Sequence, residues 1–323
     1  MEKILENKIE SHEEMIGLVT FKHFNESPKS ITRMTTGACN EVYSVELLED
    51  EVILRLSAVD HFLQGSHNYI PVLKNLNIPV PDILAEDYSR QDIPFAYQFL
   101  SKIPGKDLLI VIQDLNDAQL KLIAKEISNV FTRVRTLPSI DKFGYVYGGY
   151  EELNDTWIGR IKDIINEATQ RSRQTGILND DLLIILQNII TDNEEYFSQV
   201  VATPYMDDIC SKNVMINDGA FSGLVDLDCL AYGDPLETIG RIKASWPGTH
   251  HGKVYTEAVM DAQGLNAEQR KMVSVYALLN RIGWTTENGI QFNQNTKAVV
   301  DEEKLQRDRE MIDILFEEYE KIK

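Results

Sequence analysis

Cysteine is scarce in this chain and scattered along it. The 323 residues include three cysteines, Cys39, Cys210 and Cys229, and no two of them have CxxC spacing. Structural zinc sites need clustered thiolates or histidines, and disulfide frameworks need paired cysteines in a small secreted domain. The sequence therefore predicts neither a zinc site nor a disulfide-stabilised fold.

Long apolar runs are also missing. No stretch approaches the roughly 18 apolar residues that a membrane-spanning helix needs. The N-terminus, MEKILENKIESHEEM, is charged throughout and lacks the apolar core of a signal peptide. These absences predict a cytoplasmic protein, and a hydrophobic content of 43% is typical of a globular one.

Positive charge is in short supply. Lysine and arginine number 32 against 51 aspartates and glutamates, which gives a formal net charge of -19 at pH 7. Such a chain repels nucleic acid and anionic membranes, so we expect neither as a partner. The excess of carboxylates has two interpretations, solubility alone or the binding of a cationic small molecule, and both stay open at this point.

Hydrophobic periodicity divides the chain into a strand-rich first part and a helical remainder. A period of 3.6 predicts a helix over residues 1–26, and a period of two predicts a three-stranded antiparallel meander after it. The predicted strands of the meander are residues 30–37, 41–48 and 51–57. A short helical piece over 72–76 and an apolar strand over 94–100 complete this part.

After residue 100 the pattern is mainly helical, broken by one hairpin. Helices are predicted over 116–135, 156–173, 180–197 and 301–323. The dipeptide Asp218-Gly219 predicts a tight turn between strands 214–217 and 222–227. We therefore expect an α+β fold of two lobes, residues 1–100 and 101–323, with a ligand cleft between them.

The most informative segment is residues 205–235, which read YMDDICSKNVMINDGAFSGLVDLDCLAYGDP. It holds Asp208, then Asn213 in the same loop, then Asp226, which a hairpin brings back beside them. A carboxylate that takes a proton from a hydroxyl, with an amide and a second carboxylate for Mg²⁺, is the working set of a phosphotransferase. The DxxxxN spacing alone is a frequent chance occurrence, and the hairpin and the second aspartate are what favour the functional interpretation.

This segment resembles the aminoglycoside phosphotransferase family, which includes choline-kinase-like and fructosamine-kinase-like relatives. Its members read HGDxxxxN, a short hairpin, then [VI]DxxxxxxGDP, and here MDDICSKN and VDLDCLAYGDP stand at those places. The resemblance covers about residues 30–240. It implies a bilobal protein-kinase-like fold, with Asp208 as catalytic base and Asn213 and Asp226 as Mg²⁺ ligands. Asp228 would assist a second metal or, as we favour, only hold the loop.

The family also has a nucleotide-binding N-terminal lobe, and two matches to it lie before residue 60. Arg55, between apolar neighbours in VILRL, stands where the family has the residue that reaches the α- and β-phosphates. The turn TGACNEVY resembles the family's phosphate-covering turn GGxxNxVY, which implies phosphate contacts from Thr36, Gly37, Ala38, Cys39 and Asn40. Without the resemblance, the turn is an ordinary hairpin and Arg55 is a solvated strand charge.

Two more matches follow. IPVP at residues 78–81 is habitual in the family before its next strand, and FAYQFLSKIPGKDL resembles the family's hinge. The hinge match implies that backbone groups of Gln98, Phe99 and Leu100 bind the purine edge of ATP or GTP. Four partial matches in the correct order are stronger evidence than any one of them.

The chain departs from the family pattern in three places. Met206 and Asp207 replace the histidine and glycine of HGD, so a like charge stands next to Asp208. No glutamate lies between residues 57 and 77, where the partner of the phosphate-binding residue would sit, and a glycine and a proline weaken a helix there. Thr238 stands where the family has an acidic residue.

The resemblance implies Mg²⁺-dependent transfer of the γ-phosphate of ATP or GTP to a hydroxyl of a small molecule held against the helical lobe. The acidic composition favours a cationic acceptor, such as an aminoglycoside. The departures leave a second hypothesis, a catalytically impaired kinase-like protein that binds nucleotide or ligand. A third, an unrelated helical binding protein, requires every match to be chance.

Overall fold

The computed structural model describes residues 11–35, 40–148, 153–292 and 296–322. Its strand-rich part is a five-stranded antiparallel sheet in the order β1-β2-β3-β5-β4. The strands are β1 (Ser30–Met34), β2 (Glu41–Glu46), β3 (Glu51–Ser57), β4 (Ile83–Asp87) and β5 (Ala96–Ser101). The predicted meander is confirmed, with β5 inserted between β3 and β4.

Helix α1 (His12–Phe24) covers one face of this sheet. It packs against alternate residues of the central strands in one apolar cluster, which includes Met15, Ile16, Val19, Val52, Leu54 and Leu56. Because side chains alternate along a strand, Arg55 points to the opposite face of the sheet. The predicted helix over 1–26 is confirmed from residue 12, and residues 1–10 lie outside the described part of the chain.

Helix α2 (Asp60–Asn75) is longer than the predicted piece over 72–76. It contains both Gly65 and Pro71, which intrinsic propensity disfavours in a helix. Tertiary packing overrides that preference, because Leu63 and Leu73 are fully buried and Gly65 lies directly against the backbone of Asp228. The helix therefore forms for the contacts it makes rather than for its local sequence.

The rest of the chain is mainly helical. The helices are α3 (Leu108–Val111), α4 (Asp117–Val134), α5 (Trp157–Thr175), α6 (Asp180–Asp192), α7 (Glu194–Gln199), α8 (Leu236–Ser245), α9 (His250–Ala262), α10 (Ala267–Thr285) and α11 (Glu302–Glu320), with a 3₁₀ turn at Ile112–Asp114. Two small antiparallel sheets have the orders β10-β9-β6 and β7-β11-β8. Their strands are β6 (Lys106–Asp107), β7 (Gly144–Val146), β8 (Thr203–Tyr205), β9 (Val214–Asn217), β10 (Ala220–Leu224) and β11 (Leu230–Gly233).

Most helix predictions are confirmed, with one correction. Asn116 and Thr156 cap the starts of α4 and α5 by accepting backbone hydrogen bonds, as their positions before apolar periodic segments suggest. The helix predicted over 180–197 is two helices, α6 and α7. They divide at Asn193, whose buried side chain donates back to the Ile189 carbonyl oxygen, a local bond that favours a helix end.

The hairpin after the catalytic-loop candidates is confirmed. Asp218 and Gly219 both have positive φ, 50° and 78°, as the preferred two-residue hairpin turn requires. Strand β10 ends at Leu224, so Asp226 follows the hairpin rather than belonging to it.

The main apolar core lies among the helices. It also takes in residues from before residue 100, among them Ile70, Leu73, Ile78 and Val80, so α2 and the segment after it pack into both parts. The division into lobes near residue 100 stays a prediction. Among the described residues, no helix has both the length and the apolar character needed to cross a membrane.

Candidate active site

The catalytic-loop candidates lie between β8 and β9, and the loop brings them into contact. The Asn213 Nδ2 group donates to the carboxylate Oδ2 and the backbone oxygen of Asp208, at 2.8 and 2.9 Å. Asn213 is buried, whereas the Asp208 side chain is 28% exposed. Asn213 thus anchors Oδ2, the Cys210 thiol donates to Oδ1 at 3.0 Å, and the carboxylate stays partly open to solvent.

Asp226 lies beside this pair. The backbone N–H of Val225 donates to the Asn213 carbonyl oxygen at 3.0 Å, which fixes the residue after the hairpin next to the loop. Asp226 has a φ of 60°, in the left-handed region that aspartate tolerates better than most residues. Its side chain is 42% exposed. Desolvation by the surrounding protein and the negative charge of Asp228 nevertheless raise its pKa to about 6, and the positive charge of Arg55 opposes that shift.

This donor set suits a hard divalent cation. Asn213 and Asp226 offer an amide oxygen and a carboxylate, and Mg²⁺ commonly takes one or two such protein ligands and completes its shell with phosphates and water. Within the described residues, no group of three or more His, Cys, Asp or Glu side chains could hold a metal by itself. The raised pKa of Asp226 agrees with a cation site, since a dication would relieve the repulsion between the carboxylates.

Arg55 reaches the same place from the sheet. Its side chain is 6% exposed, and its Nη2 group contacts the carboxylates of Asp226 at 3.2 Å and Asp228 at 2.6 Å. Its Nη1 group donates to the Ser66 hydroxyl of α2 at 2.6 Å. Arg55 is therefore a buried, paired cation, which removes the alternative of a solvated strand charge.

The turn that was expected to cover the phosphates is mostly outside the described residues. Thr36, Gly37, Ala38 and Cys39 belong to that part of the chain, and Asn40 alone of the predicted set is described. Asn40 is buried, and its Nδ2 group donates to Asp228 at 3.2 Å. Asn40, the residue before β2, therefore contacts the Arg55 cluster through Asp228.

The predicted purine-binding residues, Gln98, Phe99 and Leu100, lie in β5, which pairs with β3 on one side and β4 on the other. Backbone groups of a strand that is paired on both sides mostly bond to its neighbours. Purine binding at these residues stays a prediction. The first residues beyond the ladder are Lys102 and Ile103.

Arg241 on α8 contacts Asp207, the acidic residue that stands where the family has glycine. Its guanidinium contacts three carboxylates, Asp207 at 3.3 Å, Asp208 at 3.4 Å and Glu237 at 3.1 Å. Its Nη2 group also donates to the Tyr145 hydroxyl at 3.2 Å. The like charge that Asp207 adds next to Asp208 is therefore offset by a cation shared between them.

The replacements around the loop have definite structural roles. Met206 is buried in the main core, so it supplies packing. Asp207 is buried, and this raises its pKa to about 6; Arg241 opposes the shift, while Asp208 and Glu237 add to it. Thr238 donates from its hydroxyl to the Asp207 carbonyl oxygen at 3.2 Å, which ties α8 to the loop backbone.

Sequence reasoning missed the partners of both arginines. The spacing of Glu237 and Arg241, four residues apart on a helix, was a visible signal for one contact. The contacts of Arg241 with Asp207 and of Arg55 with Ser66 cross between elements. Neither hydrophobic periodicity nor a local motif predicts contacts between side chains on different elements.

No protein-family model matches the chain, and no curated protein matches it by sequence. Solved structures do match it. A thermostable mutant of aminoglycoside phosphotransferase APH(4)-Ia aligns with a TM-score of 0.69 at 13% identity, over 94% of this chain and 97% of that one. The same phosphotransferase in a ternary complex with AMP-PNP and hygromycin B aligns at 0.68 and 14%, over 93% and 97%.

A second kind of phosphotransferase gives the same result. The GDP complex of wild-type aminoglycoside 2'-phosphotransferase-IIIa aligns with a TM-score of 0.63 at 13% identity, over 94% of this chain and 96% of that one. These alignments confirm the α+β kinase-like fold class and the resemblance that the motifs predicted. This chain therefore has the fold of the aminoglycoside phosphotransferases along nearly its whole length.

Proposed function

We propose that this protein is a Mg²⁺-dependent phosphotransferase that moves the γ-phosphate of ATP or GTP to a hydroxyl of a small, cationic molecule. One observation carries the proposal. Asp208, Asn213 and Asp226 form one contiguous cluster, and the buried Arg55 contacts it from the sheet. Phosphoryl transfer needs little else from a protein than this positioning of base, metal ligands and phosphate-binding cation.

Each member of the cluster has a role that its surroundings support. Asp208 would orient the acceptor hydroxyl and take its proton, and its partial exposure leaves room for that hydroxyl. Asn213 and Asp226 would hold Mg²⁺, which neutralises the charge on the nucleotide phosphates when bound. Arg55 and the turn over residues 36–40 would hold the phosphates.

We place the purine edge against the backbone of Lys102 and Ile103, just past the end of β5. This region is held in place from both sides: the Ser101 N–H donates to the Asp82 carbonyl oxygen at 2.9 Å, and the Ser222 hydroxyl donates to the Pro104 carbonyl oxygen at 2.7 Å. A fixed segment just beyond the paired part of a strand is suited to purine recognition. Both AMP-PNP and GDP are bound by proteins of this fold, so both ATP and GTP stay candidates.

The acceptor class follows from charge and from the fold. The chain carries a formal net charge of -19, which attracts cations. A phosphotransferase of the same fold binds the aminoglycoside hygromycin B in its ternary complex. We propose a cationic molecule with a free hydroxyl, held against the helical region that follows residue 100.

One contact favours the alternative, a kinase-like binding protein with impaired catalysis. Arg241 touches Asp208, and a cation on the base opposes proton transfer to it. However, Arg241 also binds Asp207 and Glu237, and the Asp207 contact is slightly shorter than the Asp208 contact. Because Arg241 shares its charge among three carboxylates, it mainly neutralises the additional charge of Asp207 and leaves Asp208 able to accept a proton. We therefore favour the active enzyme.

The test is nucleotide turnover with Mg²⁺ and ATP or GTP against a panel of aminoglycosides, choline and amino sugars. Acceptor-stimulated phosphate transfer is expected, and Asp208→Asn should lower kcat by about 10²–10⁴-fold, the usual contribution of a positioned base. Nucleotide binding of the variant, measured by calorimetry, should match the wild type because Asp208 does not contact the nucleotide in this scheme. Full turnover by Asp208→Asn would refute the role of Asp208. Tight nucleotide binding without transfer to any acceptor would favour the impaired binding protein.

A further inference from the structure

A buried arginine needs a carboxylate as counter-charge. Helix α2, which packs next to Arg55, contributes no acidic side chain to it. Taking a guanidinium out of water costs several kcal/mol unless a carboxylate and hydrogen bonds compensate. Ser66 on α2 offers Arg55 a hydroxyl, at 2.6 Å, and no charge. The charge comes from Asp228 instead, at 2.6 Å, a residue 173 positions away in the chain.

Both carboxylate oxygens of Asp228 are occupied by protein groups. Oδ1 accepts from the Ser66 hydroxyl at 2.6 Å. Oδ2 accepts from Arg55 at 2.6 Å and from Asn40 at 3.2 Å. The side chain is 12% exposed. A metal at either oxygen would have to compete with these contacts, Ser66 at Oδ1 or Arg55 and Asn40 at Oδ2.

Asp226, two residues earlier, is the opposite case. Its side chain is 42% exposed, and its contact with Arg55 uses only Oδ1 and is longer, at 3.2 Å. The two aspartates of this loop therefore have different roles. One is open to a metal ion, and the other supplies the negative charge that α2 does not. Asp226 faces outward toward a ligand, and Asp228 faces inward toward Arg55 and α2.

The backbone at Asp228 makes the attachment to α2 closer still. A Cβ atom on Gly65 would lie 1.6 Å from the Asp228 carbonyl oxygen, so only glycine allows the helix to approach this far. Gly65 and Ser66 are adjacent, and they contact the backbone and the side chain of the same residue. Helix α2 is thus fixed to the loop at one point.

We propose that Asp228 is a positioning residue that supplies the counter-charge for Arg55 and holds α2 and Asn40 around it, and that it is not a second metal ligand. Nucleotide binding then depends on Asp228 through Arg55, while Mg²⁺ binding depends on Asp226. The proposal rests on the proposed function in assigning Arg55 to nucleotide phosphates and Asp226 to Mg²⁺.

The experiment compares Asp228→Asn with Asp226→Asn by titrating ADP calorimetrically, with and without Mg²⁺. Asp228→Asn should weaken ADP binding about tenfold in both conditions, because Arg55 loses a charge-assisted hydrogen bond and its orientation. The Mg²⁺ concentration at half effect should stay at the wild-type value. Asp226→Asn should abolish the effect of Mg²⁺ on ADP binding.

Other outcomes would overturn the proposal. If Asp228→Asn shifts the Mg²⁺ midpoint as Asp226→Asn does, Asp228 is a metal ligand. If it leaves ADP binding unchanged in both conditions, Arg55 does not depend on it. If wild-type protein binds no nucleotide at all, the proposed function fails and this inference fails with it, a result that the two variants alone could not produce.

A relocation of the charge separates positioning from general structural damage. Ser66→Asp places a carboxylate on α2 at the position whose side chain already contacts Arg55. In the Asp228→Asn background it should restore ADP affinity to within a few-fold of wild type. Failure of that rescue in a double variant that melts like the wild type would count against the counter-charge role. Should Asp228→Asn not fold, Ser66→Ala is the substitute, with a loss of ADP affinity of a few-fold and an unchanged Mg²⁺ midpoint.

Discussion

Two arginines, the buried Arg55 and the partly buried Arg241, organise the candidate site in different ways, each among several carboxylates. Arg55 comes from the sheet and meets Asp226 and Asp228, 171 and 173 residues later in the chain. Arg241 lies on α8 and meets Asp207, Asp208 and Glu237, all within 34 residues of it.

The difference lies in how much of each cluster is open to a ligand. In the Arg55 cluster, Asp226 is 42% exposed and carries a raised pKa, so a cation or phosphate can enter and redistribute the contacts. In the Arg241 cluster, Glu237 and Asp207 are buried. Under the proposed function, the first cluster would exchange ligands and the second would hold the loop, and four substitutions test that contrast.

Arg241→Gln is expected to have the largest effect on stability. It leaves two buried carboxylates without counter-charge, and breaking such a cluster typically costs about 3–5 kcal/mol in the free energy of unfolding. Arg55→Gln should cost less, because Asp226 can be solvated and Asp228 keeps its hydrogen bonds from Ser66 and Asn40. Chemical denaturation at pH 7 measures both losses.

The control for this pair is Arg307→Gln, since Arg307 is exposed on α11. Its effect should stay within about 0.5 kcal/mol. Arg241→Lys keeps the charge but loses the planar fork, so it should recover part of the stability. If Arg241→Gln is as stable as the Arg307 control, the Arg241 cluster does not hold the loop.

Asp207→Asn should change how stability depends on pH. The pKa of Asp207 is raised from 3.8 to about 6 in the folded protein, chiefly by burial, so the folded state binds this proton more tightly than the unfolded one. Protein stability from this group is then greatest below pH 4 and falls as pH rises to about 6, by about 3 kcal/mol for a shift of about two units. The variant should lack that fall.

The measurement is the free energy of unfolding of both proteins from pH 4 to pH 7. The wild type should lose stability relative to Asp207→Asn across this window and run parallel to it above pH 6.5. Asp218→Asn, at the exposed hairpin turn, is the matched control and should follow the wild-type curve. Parallel curves for the Asp207 variant over the whole window would show that its burial does not perturb the pKa.

Gly65→Ala should have the smallest effect on stability, about 1–3 kcal/mol, because the added methyl group forces α2 away from the Asp228 backbone. ADP affinity should fall with it, since Arg55 follows the same contact. Gly17→Ala, on α1 with open space around its Cβ position, is the control and should raise stability by up to about 1 kcal/mol. Thermal unfolding measures both effects. Equal effects of the two substitutions would show that the close contact between Gly65 and the Asp228 backbone does not contribute to stability.

The sequence by itself determined the elements whose signals are local. Asp218-Gly219 specifies its turn because both positions need positive φ, and the alternation of β1 to β3 specifies a meander with one apolar face. The order of Asp208, Asn213 and Asp226 predicted one cluster because a loop and a hairpin are too short to separate them.

Only the tertiary structure decided the rest. Helix α2 forms despite Gly65 and Pro71, and β5 lies between β3 and β4, so the backbone of residues 98–100 pairs with strands on both sides. The partners of Arg55 and Arg241 were likewise decided by packing between elements. The physical reason is common to all three: the energy of these contacts comes from burial and charge pairing between distant segments, and a one-dimensional pattern records only what neighbours along the chain do.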